Sequence, residues 1–282
     1  MDYFDLHCDT AYECLKTGQA FSHNNLAISS EKGKAFNKWT QVFAVWIKDD
    51  VFKPFLTYKK TLEYFKNQLD LCKAGNLTPI FAVEGGAAIE NIDNLYDMHR
   101  DGVKSITLTW NSKNKIASGV DERGGLTDYG RQVIHVMNNL KIATDLSHLN
   151  EESFFDAIKL ARYPIATHSN CNEVYMHKRN LSDVQLLKIA EKGGIIGICP
   201  YPEFTGLDSF WGVYRNILHM LKLGIGKNIA FGSDFDGAKM SNNLSNISKI
   251  PDLVAFLQER GISDELCEQI FYKNAANYFE KL

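Results

Sequence analysis

The feature of this sequence that most constrains its fold is a regular alternation of short apolar segments with longer amphipathic ones. The apolar segments have the length and composition of β-strands, and the longer segments carry apolar residues at helical spacing. Eight strands are predicted, at residues 3–8, 40–47, 78–84, 104–110, 141–148, 164–168, 194–199 and 228–234. The predicted helical segments include residues 54–74, 130–140, 151–161, 182–192, 210–223, 251–259 and 263–282.

Strands that alternate with helices indicate βα units and a parallel sheet. The near-continuous apolar run at residues 195–198 suits a strand that is buried on both faces. An open, doubly wound sheet is the competing arrangement, but neither GxGxxG nor GxxxxGK[ST] follows the first strand. Eight strands in 282 residues therefore favour one α/β domain, residues 1–282, folded as a (β/α)8 TIM-type barrel.

The composition is that of a globular protein without a strong charge bias. Hydrophobic residues make up 45% of the chain, and the net charge is −3, so no overall field attracts nucleic acid or an anionic membrane. The six cysteines form no CxxC pair, and the first ten residues lack the basic and apolar regions of a secretory signal. We therefore expect a cytoplasmic protein that binds neither nucleic acid nor membrane. The oligomeric state stays open, with a homodimer as one option.

Imidazoles and carboxylates stand at the carboxyl ends of five predicted strands. They are His7 and Asp9 at the first strand, Glu84 at the third, His148 at the fifth, His168 at the sixth and Asp234 at the eighth. In a barrel these strand ends share one face, where catalytic sites are built. Any one of these residues alone could be a helix cap, but burying the whole set unpaired would be costly. A bound metal would supply the missing positive charge.

The types of side chain in this set indicate the kind of metal. Imidazole and carboxylate ligands suit zinc or a similar divalent first-row ion. His7 and Asp9 are separated by one residue, so in an extended strand they point to the same side. Two ions about 3.5–4 Å apart need a bridging carboxylate and a bridging water, and Glu84 is the natural bridge. The sequence therefore predicts a site for two zinc ions, with another divalent metal as the alternative.

Several motifs in a fixed order resemble those of the membrane (renal) dipeptidase family, a metal-dependent branch of the amidohydrolase-type barrels. The motifs are DLHCDT (5–10), AVEGG (82–86), GLTDYG (125–130), DLSHLN (145–150), ATHSNC (166–171) with KRN (178–180), and FGSDFDG (231–237). Together they extend from residue 5 to residue 237, which makes the set much more specific than any single motif.

The resemblance implies a complete set of metal ligands. It implies that His7, Asp9 and Glu84 hold one zinc ion, and that Glu84, His148 and His168 hold the second. As the shared ligand, Glu84 is also predicted to be a catalytic residue.

The resemblance also implies roles for residues outside the ligand set. Asp234 would be the acid/base residue, and Arg179 would bind the C-terminal carboxylate of the substrate, which suits the bidentate pairing of arginine with carboxylates. One position departs from the family pattern. Many members carry a substrate-contacting histidine after the fourth strand, where this chain has Trp110. We predict that Trp110 forms a wall of the substrate pocket and that the metal polarises the scissile carbonyl.

The predicted function is that of a binuclear zinc dipeptidase that cleaves short peptides, including dipeptides with a C-terminal D-residue. A metal-bridging hydroxide would attack the amide, and Asp234 would return the proton to the departing amine. Two alternatives stay open. One is a related amidohydrolase barrel that acts on N-acyl amino acids, lactones or phosphoesters. The other is a binding barrel without catalysis, which only Trp110 favours.

Overall fold

Eight parallel strands form the predicted barrel. The computed structural model describes residues 1–282, and each strand pairs with the next in chain order. The strands are β1 (Tyr3–Cys8), β2 (Trp39–Trp46), β3 (Leu77–Glu84), β4 (Val103–Thr107), β5 (Ala143–Asp145), β6 (Pro164–Ala166), β7 (Ile195–Ile198) and β8 (Ile229–Phe231). The prediction of an α/β fold of the (β/α)8 type is confirmed.

Helices surround the strands, and each predicted helical segment overlaps one of them. They are α1 (Thr10–Thr17), α2 (Pro54–Cys72), α3 (Asp93–Arg100), α4 (Asp128–Asn139), α5 (Glu151–Leu160), α6 (Asp183–Glu191), α7 (Pro202–Thr205), α8 (Phe210–Lys222), α9 (Ile250–Glu259), α10 (Asp264–Glu268) and α11 (Asn274–Phe279). Side-chain caps from Thr127, Asn150, Ser182 and Ser263 fix the first turns of α4, α5, α6 and α10. None of the helices combines the length and the apolar character that crossing a membrane requires.

The seam between β8 and β1 closes the barrel. The backbone N–H of Asp234 donates to the carbonyl oxygen of His7 at 3.1 Å. The buried carboxylate of Asp5 accepts a hydrogen bond of 2.8 Å from the backbone N–H of Ser233. These contacts fix the segment after the last strand against the first strand.

The C-terminal helices cover the amino-terminal end of the barrel. The Tyr278 hydroxyl donates to the carbonyl oxygen of Pro164 at 3.0 Å, where β6 begins. Asn274 Nδ2 donates to the carbonyl oxygen of Ile229 at 2.8 Å, where β8 begins. The apolar cluster at this end includes Phe4, Leu6, Val42, Ala44, Ile165, Ile195, Ala275 and Tyr278. Because this end is filled, the open mouth lies at the carboxyl ends of the strands.

Four predicted strands extend two or three residues too far toward the mouth of the barrel, and two others extend one residue too far. β4, β5, β6 and β8 end at residues 107, 145, 166 and 231, before the predicted ends at 110, 148, 168 and 234. His148 and Asp234 have φ angles of 69° and 57°, which take the backbone out of the extended conformation. His148, His168 and Asp234 therefore lie in loops directly after their strands, rather than within them.

Candidate active site

The six predicted strand-end residues come together at the mouth of the barrel. The five predicted metal ligands are buried, and none is more than 7% exposed. Asp234 lies beside them, with its side chain 13% exposed. The structure thus brings the predicted ligands together, while the role of each residue stays a prediction.

Glu84 stands between two groups of side chains. Its Oε2 lies 3.6 Å from His7 Nε2. Its Oε1 lies 2.9 Å from His148 Nε2 and 3.4 Å from His168 Nε2. Each carboxylate oxygen therefore faces different imidazoles, which is the arrangement that a carboxylate shared by two ions requires.

The other group of side chains surrounds the His7 imidazole. His7 Nε2 lies 3.5 Å from Asp9 Oδ2 and 3.9 Å from Asp234 Oδ1. Both His7 Nε2 and Asp9 Oδ1 are buried without a hydrogen-bond partner. Leaving such atoms unpaired is costly, and a cation among them would remove that cost.

The imidazoles of His148 and His168 direct their Nε2 atoms toward each other, 2.9 Å apart. Their Nδ1 atoms have other partners, Asn111 Oδ1 at 2.8 Å and Thr167 Oγ1 at 2.8 Å. Because an amide oxygen only accepts, His148 carries its proton on Nδ1 and turns the Nε2 lone pair into the site. Two imidazole nitrogens only 2.9 Å apart fit a cation that both of them bind. Together with the carboxylate oxygens of the site, they make a set of donor atoms that suits a divalent metal.

Burial and neighbouring charges shift the pKa values of the three histidines. Burial lowers the pKa of His148 to about 4 and lowers that of His168 well below its usual value. Burial is the largest influence on His7 and opposes its charged form, but the negative charges of Glu84 and Asp9 together outweigh it, so the pKa of His7 is raised. His148 and His168 are therefore neutral at physiological pH, the form that binds a metal.

Asp234 has the electrostatic environment of a proton-transfer group. Burial raises the pKa of Asp234 well above its usual value. The His7 imidazole opposes this rise, and the negative charges of Asp9 and Glu84 add to it. A carboxyl group with a raised pKa can take up and release a proton closer to neutral pH.

A cavity of about 340 Å³ opens beside Glu84 and Asp234, with an aromatic wall. The wall consists of Tyr12, Trp46 and Trp110. The Trp46 ring packs edge-on against Trp110 at 5.3 Å and against Tyr12 at 4.9 Å between ring centroids. Trp110 therefore lines the cavity beside Glu84, and its role as a wall of the substrate pocket stays a prediction.

Arg179 lines a second cavity of about 320 Å³, and His148 lines both this cavity and the first. The residue is 4% exposed, and its guanidinium lies over the Phe204 ring at 5.3 Å. Its Nη2 makes only a long contact of 3.5 Å with the carbonyl oxygen of His168, and its Nε has no partner. A buried cation with unused donors is suited to an anionic ligand.

Four residues of the site were missed by the sequence analysis: Tyr12, Trp46, Asn111 and Thr167. Two of them could have been found from their positions at the ends of strands. Trp46 ends β2, and Thr167 directly follows β6 and precedes a predicted ligand. Tyr12 and Asn111 are brought in by the helix and loop after β1 and β4, which no strand pattern places.

Comparisons with known proteins identify one family. The family model described as membrane dipeptidase (peptidase family M19) matches residues 47–281. The dipeptidase tcpJ of Claviceps purpurea is 28% identical over 246 residues, which cover 80% of this chain and 58% of that protein. The chain therefore spans less than two thirds of the length of this relative.

Two solved structures share the fold. The crystal structure of dipeptidase AC, described as a metallopeptidase of family M19, has a TM-score of 0.90 at 24% identity and covers 99% of this chain and 98% of its own. A metallopeptidase from Rhodobacter sphaeroides, bound to a phosphinate mimic of the dipeptide L-Ala-D-Ala, has a TM-score of 0.87 at 23% identity, with 99% of each chain covered. At these identities the likeness shows the barrel fold. The family match over residues 47–281 shows more: this chain belongs to the membrane dipeptidase family, a family of metallopeptidases.

Proposed function

We propose that this chain is a dipeptidase that uses two divalent metal ions, zinc in the first instance, to hydrolyse the amide bond of dipeptides. The position of Glu84 carries the proposal. Its two oxygens face His7 on one side and the pair of His148 and His168 on the other, at 2.9 to 3.6 Å. Membership of the membrane dipeptidase family supports a dipeptide as the substrate.

Five side chains would hold the two ions. His7, Asp9 and Glu84 would bind one ion, and Glu84, His148 and His168 would bind the other. When bound, the ions would lower the pKa of a water molecule and polarise the peptide carbonyl.

Asp234 would move the proton during hydrolysis. It would accept the proton of the attacking water and give it to the nitrogen of the departing amine. Its raised pKa and its position 3.9 Å from His7 Nε2 support this role.

Arg179 would bind the C-terminal carboxylate of the substrate. The buried guanidinium with its unpaired Nε supports this role, because a carboxylate would use the free donors. Trp110 would contact the N-terminal part of the substrate in the first cavity. The L-Ala-D-Ala mimic bound to the Rhodobacter sphaeroides metallopeptidase supports including dipeptides with a C-terminal D-residue.

The proposal is tested with the purified full chain, loaded with zinc and freed of excess metal. We expect two equivalents of zinc by elemental analysis and hydrolysis of dipeptides in a screen of L,L and L,D forms. N-acyl amino acids, lactones and phosphodiesters in the same screen test the alternative substrates. Equal activity after complete metal removal, or turnover of phosphodiesters without dipeptides, would overturn the proposal.

A further inference from the structure

We propose that Thr167, itself held by Asp145, is a positioning residue that fixes the tautomer and the orientation of the His168 ring. This inference rests on the proposed function, in which His168 binds a metal ion. It concerns residues that touch neither a metal nor a substrate.

The Asp145 carboxylate is buried in the centre of the barrel and has no unused acceptor position. Its Oδ2 accepts from the hydroxyl groups of Thr107 at 2.7 Å and Thr167 at 2.6 Å. Its Oδ1 accepts from the backbone N–H groups of Ser147 and Thr167, each at 3.1 Å. Two donors on each oxygen satisfy an ionised carboxylate, which can only accept. The hydroxyl of Thr167 therefore points its proton at Asp145.

This direction of the hydroxyl decides the protonation of the neighbouring imidazole. Thr167 Oγ1 lies 2.8 Å from His168 Nδ1. Since the single proton of the hydroxyl is already donated to Asp145, the oxygen can only accept in this second contact. His168 must therefore carry its proton on Nδ1.

A proton on Nδ1 leaves the lone pair of the neutral ring on Nε2. That atom lies 3.4 Å from Glu84 Oε1 and 2.9 Å from His148 Nε2, at the predicted metal position. The chain of contacts from Asp145 through Thr167 thus turns the binding atom of His168 toward the site. Such outer partners typically raise metal affinity 10- to 100-fold.

Thr107 provides a matched control within the same network. Thr107 and Thr167 are both buried, and each donates one hydroxyl hydrogen bond to Asp145 Oδ2. Only Thr167 also accepts from His168. If the network merely stabilised the barrel, loss of either hydroxyl would have the same effect.

The test uses the full chain with Thr167→Val, Thr167→Ser and Thr107→Val. Zinc affinity is measured by competition with a chromogenic chelator, and folding is checked by thermal unfolding. We expect Thr167→Val to weaken zinc binding about 10- to 100-fold, and the other two variants to stay within about threefold of the wild type. Wild-type affinity in Thr167→Val, or an equal loss in Thr107→Val, would overturn the proposal.

A second measurement uses only the wild-type chain, so its result does not depend on the folding of a variant. NMR of the metal-free wild type with ¹⁵N-labelled histidine reports which nitrogen of His168 carries the proton. We expect the Nδ1–H form, and the Nε2–H form would overturn the proposal. Failure of the wild-type chain to bind zinc would refute the proposed function. The tautomer of His168 would still decide whether Thr167 has the positioning role.

Discussion

Asp234 Oδ1 lies 3.9 Å from His7 Nε2, across the seam where the last strand of the barrel meets the first. The two residues are 227 positions apart in the sequence, yet a backbone contact at the seam holds them close together. Asp234 therefore lies beside the proposed metal position, where the proposal assigns it proton transfer.

The first prediction separates proton transfer from metal binding. Asp234→Asn keeps the size of the side chain but removes its ability to exchange a proton. We expect kcat for dipeptides to fall about 10²- to 10⁴-fold, with the zinc content unchanged. Steady-state kinetics and elemental analysis check this outcome. Full activity in the variant would rule out Asp234 as the acid/base group.

The second prediction concerns removal of the metal. The unpaired Nε2 of His7 and Oδ1 of Asp9 make the empty site unfavourable. Metal at a thousandfold excess over its Kd stabilises a folded chain by about 4 kcal/mol for each ion bound, so two ions correspond to roughly 15 °C in Tm. Chelation should lower Tm by this amount and abolish activity, and added zinc should restore both. An unchanged Tm would argue against metal at this position.

The third prediction concerns recognition of the substrate carboxylate. Arg179→Gln removes the buried charge, so kcat/KM for dipeptides should fall about 10- to 100-fold. Dipeptide amides, which lack the carboxylate, should be hydrolysed equally by the variant and the wild type. Lys188→Gln is the control, because Lys188 is exposed on α6, pairs with Glu191 and lies outside both cavities. Equal losses on dipeptides and their amides would assign Arg179 a structural role instead.

The fourth prediction concerns the aromatic wall. Trp110→Ala removes the ring that packs against Trp46 at 5.3 Å. We expect kcat/KM for dipeptides with an aromatic N-terminal residue to fall about 2- to 10-fold relative to those with glycine there. Tyr96→Ala removes an exposed aromatic ring of α3 and serves as the control. An unchanged preference in Trp110→Ala would place the substrate elsewhere in the cavity.

The fifth prediction concerns the pH dependence of stability in the metal-free protein. Burial holds the pKa of His148 at about 4, below its usual 6.5. Between these values the unfolded chain binds the proton and the folded chain does not, so the free energy of unfolding falls as the pH falls. From pH 7 to pH 4, the free energy of unfolding of the wild type should fall by about 3 kcal/mol more than that of His148→Asn. Urea unfolding with chelator present measures it, and a constant difference would contradict this shift.

The number and order of the strands could be predicted because buried parallel strands have a distinct apolar pattern, whereas no helix was predicted at α1, α3 or α7. The ends of the strands could not. Residues 146–147 and 232–233 continue the apolar or small character of their strands, so the pattern alone extends the strands to His148 and Asp234. The positive φ angles of His148 and Asp234 depend on contacts made by the folded barrel.

The metal ligands were predictable because imidazoles and carboxylates at strand ends stand out in the sequence. The side chains that hold them were not. Asn111 reaches His148 from the loop after β4, and Thr167 reaches Asp145 from the position directly after β6. Such contacts depend on loop paths and on side-chain direction, which a single sequence does not specify.

The seam between β1 and β8 also has a consequence for the order of assembly. Asp5 and Ser233 join the first strand to the segment after the last strand, and this junction brings His7 and Asp9 next to Asp234. Before that, the chain offers the histidines and carboxylates as separate weak sites, because affinity requires the preformed set. Under the proposed function, bound metal would therefore stabilise the barrel with its first and last strands joined.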